Sequence, residues 1–200
     1  MIDLRHGLFL ECPEDKVGFL GDFVDRFLEK RKYFQDALDY FDAKFLYLDR
    51  PTNTCHEKAE LLGWGADRVV KALYFSNGKG IVCCIFPELD KELKTKDLFS
   101  RLLGISGKKA KGYQNSHYDL DDMERGTCSP FPRHETLLKG IYRIFIHDHP
   151  VIDDKLVDIS VGGKGEEAHK VAMHIKYKDI YTILESKIGD RVQIVDFFGG

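Results

Sequence analysis

Arg68-Val69-Val70-Lys71-Ala72-Leu73-Tyr74-Phe75-Ser76-Asn77-Gly78-Lys79-Gly80-Ile81-Val82-Cys83-Cys84-Ile85-Phe86 is the stretch that decides the fold. Two apolar runs rich in β-branched and aromatic residues flank Asn-Gly. That pattern predicts a β-hairpin, with strands over 69–75 and 81–86. Further strands are expected at 45–48, 141–146, 156–161, 171–175 and 192–195. Helical rhythm replaces strand rhythm elsewhere. Leu20, Phe23, Val24, Phe27 and Leu28 recur at i, i+3, i+4, continued by Phe34, Leu38 and Phe41, and predict a helix or helical pair over 15–42. Thr54 with Glu57 has the spacing of a capping box, for a helix that stops near Gly63. Helices are also expected over 95–103, ending at Gly104, and over 177–188. Residues 119–124 are mostly acidic and read as a solvated loop or helix start. Strands and helices follow in mixed order, so an α+β domain is expected rather than regular βαβ alternation.

Composition narrows the function. The chain has 200 residues, 43% of them hydrophobic and 32% charged, with a net charge of −3. That is enough apolar material for a core and no global basic field. No apolar run approaches the roughly 18 residues of a membrane helix, so no membrane partner is expected. The N-terminal MIDLRHGLFLECPEDK lacks the order of a signal peptide. The five cysteines, at 12, 55, 83, 84 and 128, form no C-x-x-C pair. Reduced thiols in the cytoplasm are expected.

Lys71 is the most unusual placement, a cation inside an apolar strand. Alternation puts it either on the solvent face or in a cavity, where it would bind phosphate or carboxylate. Gly126-Thr127-Cys128-Ser129-Pro130 is a tight loop able to aim several backbone N–H groups at one oxyanion, or else a plain turn. Gly162-Gly163-Lys164-Gly165 carries the same two readings, without the ending of a Walker loop. Cys128 is a nucleophile candidate only if a histidine reaches it. His147-Asp148-His149 lacks a marked third ligand, so no metal is expected, and no cofactor motif is present. Lys91, Lys94, Lys96, Arg101, Lys108, Lys109 and Lys111 form a local basic stretch, either a solvated face or a phosphate-backbone footprint.

In order, these features resemble the YbaK/prolyl-tRNA synthetase editing-domain family, over about residues 45–188. Ala59-Glu60-Leu61-Leu62-Gly63 is similar to its Leu-Gly helix end, and Val69-Val70-Lys71-Ala72-Leu73 to its V-x-K-[TA]-L strand. Residues 87–103 resemble its proline, leucine/aspartate and lysine-leucine helix, followed by Lys108-Lys109. Gly126 to Phe131 is similar to its G-x-x-x-P loop, and Asp158 to Gly165 to the strand and glycine turn near its C-terminal end. Departures are Thr127 after the first glycine, Cys128 in place of an aliphatic residue, and a longer segment after Gly165.

The resemblance implies a mixed sheet surrounded by helices at 43–200, with residues 1–42 as an N-terminal helical extension. It implies an aminoacyl-tRNA deacylase acting on Cys- or Ala-tRNA(Pro), with tRNA as partner and an aminoacyl-tRNA synthetase as a second one. Lys71 matches the essential lysine. Gly126 and Pro130 match the loop that shapes the aminoacyl pocket, and the resemblance puts Thr127, Cys128 and Ser129, with Gly162 and Gly163, among the substrate-binding residues. Lys94, Lys96, Arg101, Lys108, Lys109 and Lys111 would meet the tRNA. Two other readings stay open: a tRNA-binding module without catalysis, and a cis-editing domain cut from a larger synthetase.

Overall fold

The computed structural model describes residues 2–4, 8–35, 41–89, 91–116 and 122–199, with side chains from Glu11 onward. Leu38 and residues 119–121 lie outside the described residues. The strands are β1 (Ile2–Leu4), β2 (Leu8–Glu11), β3 (Lys44–Tyr47), β4 (Val69–Ser76), β5 (Ile81–Pro87), β6 (Gln114–Asn115), β7 (Ile141–His147), β8 (Leu156–Ser160), β9 (Val171–Lys176) and β10 (Val192–Val195). The helices are α1 (Val17–Lys30), α2 (Lys32–Gln35), α3 (Cys55–Leu62), α4 (Thr95–Leu102), α5 (Gly107–Ala110) and α6 (Tyr177–Ile188). The strands form one mixed sheet in the order β1-β2-β3-β9-β8-β4-β5-β7-β10, with β6 beside β4. The class is α+β, as the element order predicts. The strands β1 and β2 and the helix α5 had no periodicity long enough to announce them.

The expected hairpin is the centre of the sheet. β4 and β5 pair antiparallel from Val70 opposite Pro87 to Ser76 opposite Ile81. Alternation then sorts their side chains. Val70, Ala72 and Tyr74 join Cys83 and Ile85 in the larger core, under α1 and α6. Phe75, Val82, Cys84 and Phe86 face the other way, into a smaller core with Leu98 and Phe99 of α4. The second face is not apolar throughout. Asp158 and Ser160 of β8 and His174 of β9 alternate with core residues Val157, Ile159, Met173 and Ile175, so they lie on that second face. α3 contributes Lys58 to the same region.

α1 is part of the main core. Leu20, Val24, Phe27 and Leu28 are buried there with Phe45 of β3 and Phe131. Phe27 meets Phe34 and Phe45 edge-on at 5.5 and 5.4 Å. Arg31, at the end of α1, is buried against the Phe27 ring. Its guanidinium donates to the Phe131 carbonyl and, at 2.8 Å, to Asp122. The Tyr33 hydroxyl donates to the Pro132 carbonyl at 2.6 Å. Within the described part of 15–42 the expected helix is α1 and the short α2, whose residues Arg31 and Tyr33 hold the chain on both sides of the 126–130 loop.

Candidate active site

The site arises where the sheet is interrupted. β8 runs parallel to β4 only at Val69 and Val70, and β6 pairs with β4 only at Phe75 and Ser76. Among the described residues no strand covers that edge of β4 at 71–74. The 126–130 loop bridges this opening. The Thr127 carbonyl accepts from the Gly162 amide at 2.9 Å, and the Gly126 carbonyl from the Ser160 hydroxyl at 3.1 Å. On the β4 side, the Ser129 carbonyl accepts from the Tyr74 hydroxyl at 2.5 Å. A cavity of about 840 Å³ lies in front, between β4, this loop and the entry to α3. That volume is within the usual range for small-molecule sites.

Lys71 lines the cavity together with Gly126 and Cys128. Its side chain is 32% exposed, so it occupies a half-open wall rather than free solvent. The ammonium pairs with Glu88, just past β5, and lies 5.9 Å from the Phe86 ring centre. Thr52, Asn53, Thr54 and Cys55 form the opposite wall at the start of α3. The capping box is present there: Thr54 Oγ1 accepts from the Glu57 amide, and Glu57 accepts from the Thr54 amide, both at 3.2 Å. Lys58, Lys91 and Arg125 also line the cavity; with Lys58 held by the buried Asp158, Lys71, Lys91 and Arg125 stand against two carboxylates, Glu88 and Glu92. The balance favours an anionic ligand.

The remaining site residues fall into two groups. Gly126 is exposed, with φ +94°, and a Cβ there would stand 2.9 Å from His169. Only glycine suits both the backbone and the space. No backbone hydrogen bond to another described residue is donated by Gly126, Cys128 or Ser129, whereas the Thr127 amide is bound to the Glu124 carbonyl. Thr127, Ser129 and Pro130 are buried behind the wall. The Thr127 hydroxyl donates to the Gly163 carbonyl at 2.8 Å, and Ser129 Oγ accepts from the Phe131 amide at 3.1 Å. Gly162 and Gly163 do not line the cavity. Their amides bind the carbonyls of Thr127 and Asp122. At Gly162, with φ +85°, a Cβ would stand 3.0 Å from the Asp122 carbonyl and 3.2 Å from Arg31. The 162–165 turn thus braces the loop from behind, with the amides of Gly162, Gly163 and Gly165 spent on Thr127, Asp122 and Glu124. His169 adds a second brace, its Nε2 3.1 Å from Glu124.

The thiols stay protonated. Burial pushes Cys128 up to about 12. Burial likewise pushes Cys55 up to about 11, with Lys71 opposing the rise. Neither is a thiolate near neutral pH, which does not favour thiol attack. His147 is half of the His-x-His pair. Its Nδ1 accepts from the Phe197 amide at 3.1 Å, so this nitrogen serves the C-terminal segment.

Lys94, Lys96, Arg101, Lys108, Lys109 and Lys111 are exposed on and around α4 and α5 and do not line the cavity. Lys91, the first of the basic stretch, does line it. Lys96 lies against Gly107 at the start of α5, and Arg101 donates to the Asp196 carbonyl at 2.7 Å.

One polar group escaped the sequence reading. Lys58 is buried, with Nζ 3.0 Å from Asp158 and 3.4 Å from the Ser160 hydroxyl. Asp158 is fully buried and also lies 3.4 Å from His174 Nε2. His174 stacks on Trp64 at 4.4 Å, and the Arg68 guanidinium covers Trp64 at 3.7 Å. The signal was available for Asp158 and His174, which interrupt apolar strands as Lys71 does. It was not available for Lys58, which sits among Glu57 and Glu60 on a helix.

No protein-family model matches the chain, and no curated protein matches it in sequence. Solved structures do share its fold. One, described as a candidate trans-editing enzyme for prolyl-tRNA synthetase, is 16% identical over 88% of this chain and 95% of that one, with a TM-score of 0.61. A scaffold from computational epitope grafting is 15% identical over 88% and 96%, with a TM-score of 0.59. A hypothetical protein is 20% identical over 86% and 97%, with a TM-score of 0.56. At such identities the likeness concerns the backbone alone: this chain shares the α+β fold of these structures.

Proposed function

We propose that this chain is an aminoacyl-tRNA deacylase, cleaving the ester of mischarged tRNA of the Cys- or Ala-tRNA(Pro) type. The observation that carries the reading is the single cavity that unites Lys71 of β4 with Gly126 and Cys128 of a loop far along the chain. The excess of cations around it suits the phosphate-bearing end of tRNA. The exposed lysines of α4 and α5 would follow the acceptor stem, giving salt-sensitive affinity without base reading.

An aminoacyl ester is already reactive, so the site needs orientation more than a strong nucleophile. In this reading Lys71 anchors the terminal phosphate or the aminoacyl end. Water adds to the ester carbonyl carbon. The backbone N–H groups of the 126–130 loop stabilise the oxyanion. Collapse then breaks the bond to the ribose oxygen, which leaves with a proton. A separate hydrolytic site has a purpose because one methylene discriminates by only about 1–3 kcal/mol. A small pocket admits the wrong small amino acid and refuses a larger one.

The test is release of amino acid from a panel of charged tRNAs by the purified protein, with Lys71→Ala as control. Release that survives Lys71→Ala unchanged would sink this mechanism. The non-catalytic tRNA-binding reading has one observation in its favour: Glu88 already neutralises Lys71. Tight tRNA binding with no deacylation across the panel would select it.

A further inference from the structure

Glu88 has a place that a mere counter-ion for Lys71 does not require. Its side chain is 12% exposed, and it faces the cavity directly. Its amide is fixed by the Val69 carbonyl at 2.8 Å, so the residue is held to the start of β4. The other carboxylate lining the cavity, Glu92, is exposed. Asp158 is engaged by Lys58 and His174. Among the described residues, Glu88 is therefore the one sheltered acceptor of full negative charge in the cavity.

A carboxylate has two oxygens and about four acceptor positions. Lys71 contacts Oε2 and leaves further capacity. The walls nearby are apolar, with Phe86, Val69 and Leu93. A cation buried against such walls without a partner is strongly disfavoured. An aminoacyl ester carries just such a cation, the α-ammonium, next to its polar carbonyl.

We infer that Glu88 accepts the free α-ammonium of the substrate, so that the site selects esters with an unblocked amino group. The inference rests on the deacylase reading above. Lys71 and Glu88 then act as a bipolar pair. The lysine takes the electron-rich end of the ester and the glutamate takes the ammonium. Peptidyl or N-acylated esters lack that cation. They would leave Glu88 with only Lys71 and the neutral Cys55 thiol as partners, and the acyl group would meet the apolar wall.

The experiment compares alanyl-tRNA with N-acetyl-alanyl-tRNA in single-turnover hydrolysis, for the native protein and for Glu88→Gln. The native protein is expected to prefer the free amine by about tenfold or more, the usual scale of one charge-assisted hydrogen bond. Glu88→Gln is expected to shrink that ratio by slowing only the free-amine ester. The ratio of ratios removes the greater intrinsic lability of esters that carry an ammonium. Equal rates on both esters with the native protein would overturn the inference and leave the deacylase reading standing. An undiminished preference in a folded Glu88→Gln protein would overturn it too. Hydrolysis of neither this ester pair nor any charged tRNA in the panel would remove the deacylase reading and this inference with it.

Discussion

Two lysines reach the same cavity and are held in opposite ways. Lys71 rises from a strand, is one-third exposed, and pairs with Glu88 at the cavity wall. Lys58 descends from a helix, is buried, and pairs with Asp158, which is fully buried on β8. A half-open pair can exchange its partner for a ligand at modest cost. A buried pair cannot, because separating it strands a charge without solvent. The contrast assigns the two cations different work. Lys71 is available to substrate, while Lys58 fixes the floor and, through Ser160 and the Gly126 carbonyl, the position of the loop.

The largest effect should come from the buried pair. Lys58→Met leaves Asp158 charged and enclosed, and is expected to cost about 3–5 kcal/mol of stability in urea unfolding. Adding Asp158→Leu should recover most of that loss. A Lys58→Met protein as stable as the native one would break the contrast at its root.

Lys71→Met should cost clearly less stability than Lys58→Met, because the Lys71–Glu88 pair is half-open, but lower deacylation about 100-fold, equivalent to about 2.7 kcal/mol of transition-state stabilisation. Thermal melting and single-turnover rates on the same preparation separate the two. If melting falls and the rate holds, the assignments of the two lysines are reversed.

Thr127→Val probes the brace shared by the loop and the 162–165 turn. It leaves the Gly163 carbonyl without its donor and should destabilise the protein by about 1–3 kcal/mol. The loss should appear in hydrogen exchange around Gly162 and Gly163 before it appears globally.

Cys55 offers the finest comparison, since both lysines lower its thiol pKa and Lys71 does so more strongly. Alkylation should be slow at neutral pH and climb with pH toward about 11. Peptide-resolved alkylation should slow further in Lys71→Met, by a larger factor than in Lys58→Met. An equal slowing in both would show that Cys55 does not distinguish the two charges.

The glycine segments teach a similar lesson. Gly126-Thr127-Cys128 and Gly162-Gly163-Lys164 looked alike as sequence, each a turn with the potential to bind an anion. In the fold only the first meets the cavity, and the second has its two glycine amides bound to the Thr127 and Asp122 carbonyls. Composition cannot tell a turn that presents its N–H groups from one that spends them, because the partner carbonyls come from distant residues.

Local pattern by itself determined much of this protein. The Asn-Gly hairpin, the Thr54–Glu57 cap, the helix over Tyr177–Ile188 and the α+β class follow from interactions within a few residues, and they are present as expected. The anomaly of Lys71 in an apolar strand was legible for the same reason. Tertiary structure alone decided what that lysine faces. The interrupted edge of β4 opens a cavity, Glu88 comes around from the next strand, and Lys58 meets Asp158 across 100 residues of chain. Such pairings depend on which strands lie side by side and which face α3 covers. Those are long-range choices of burial and register, and a run of neighbouring residues does not encode them.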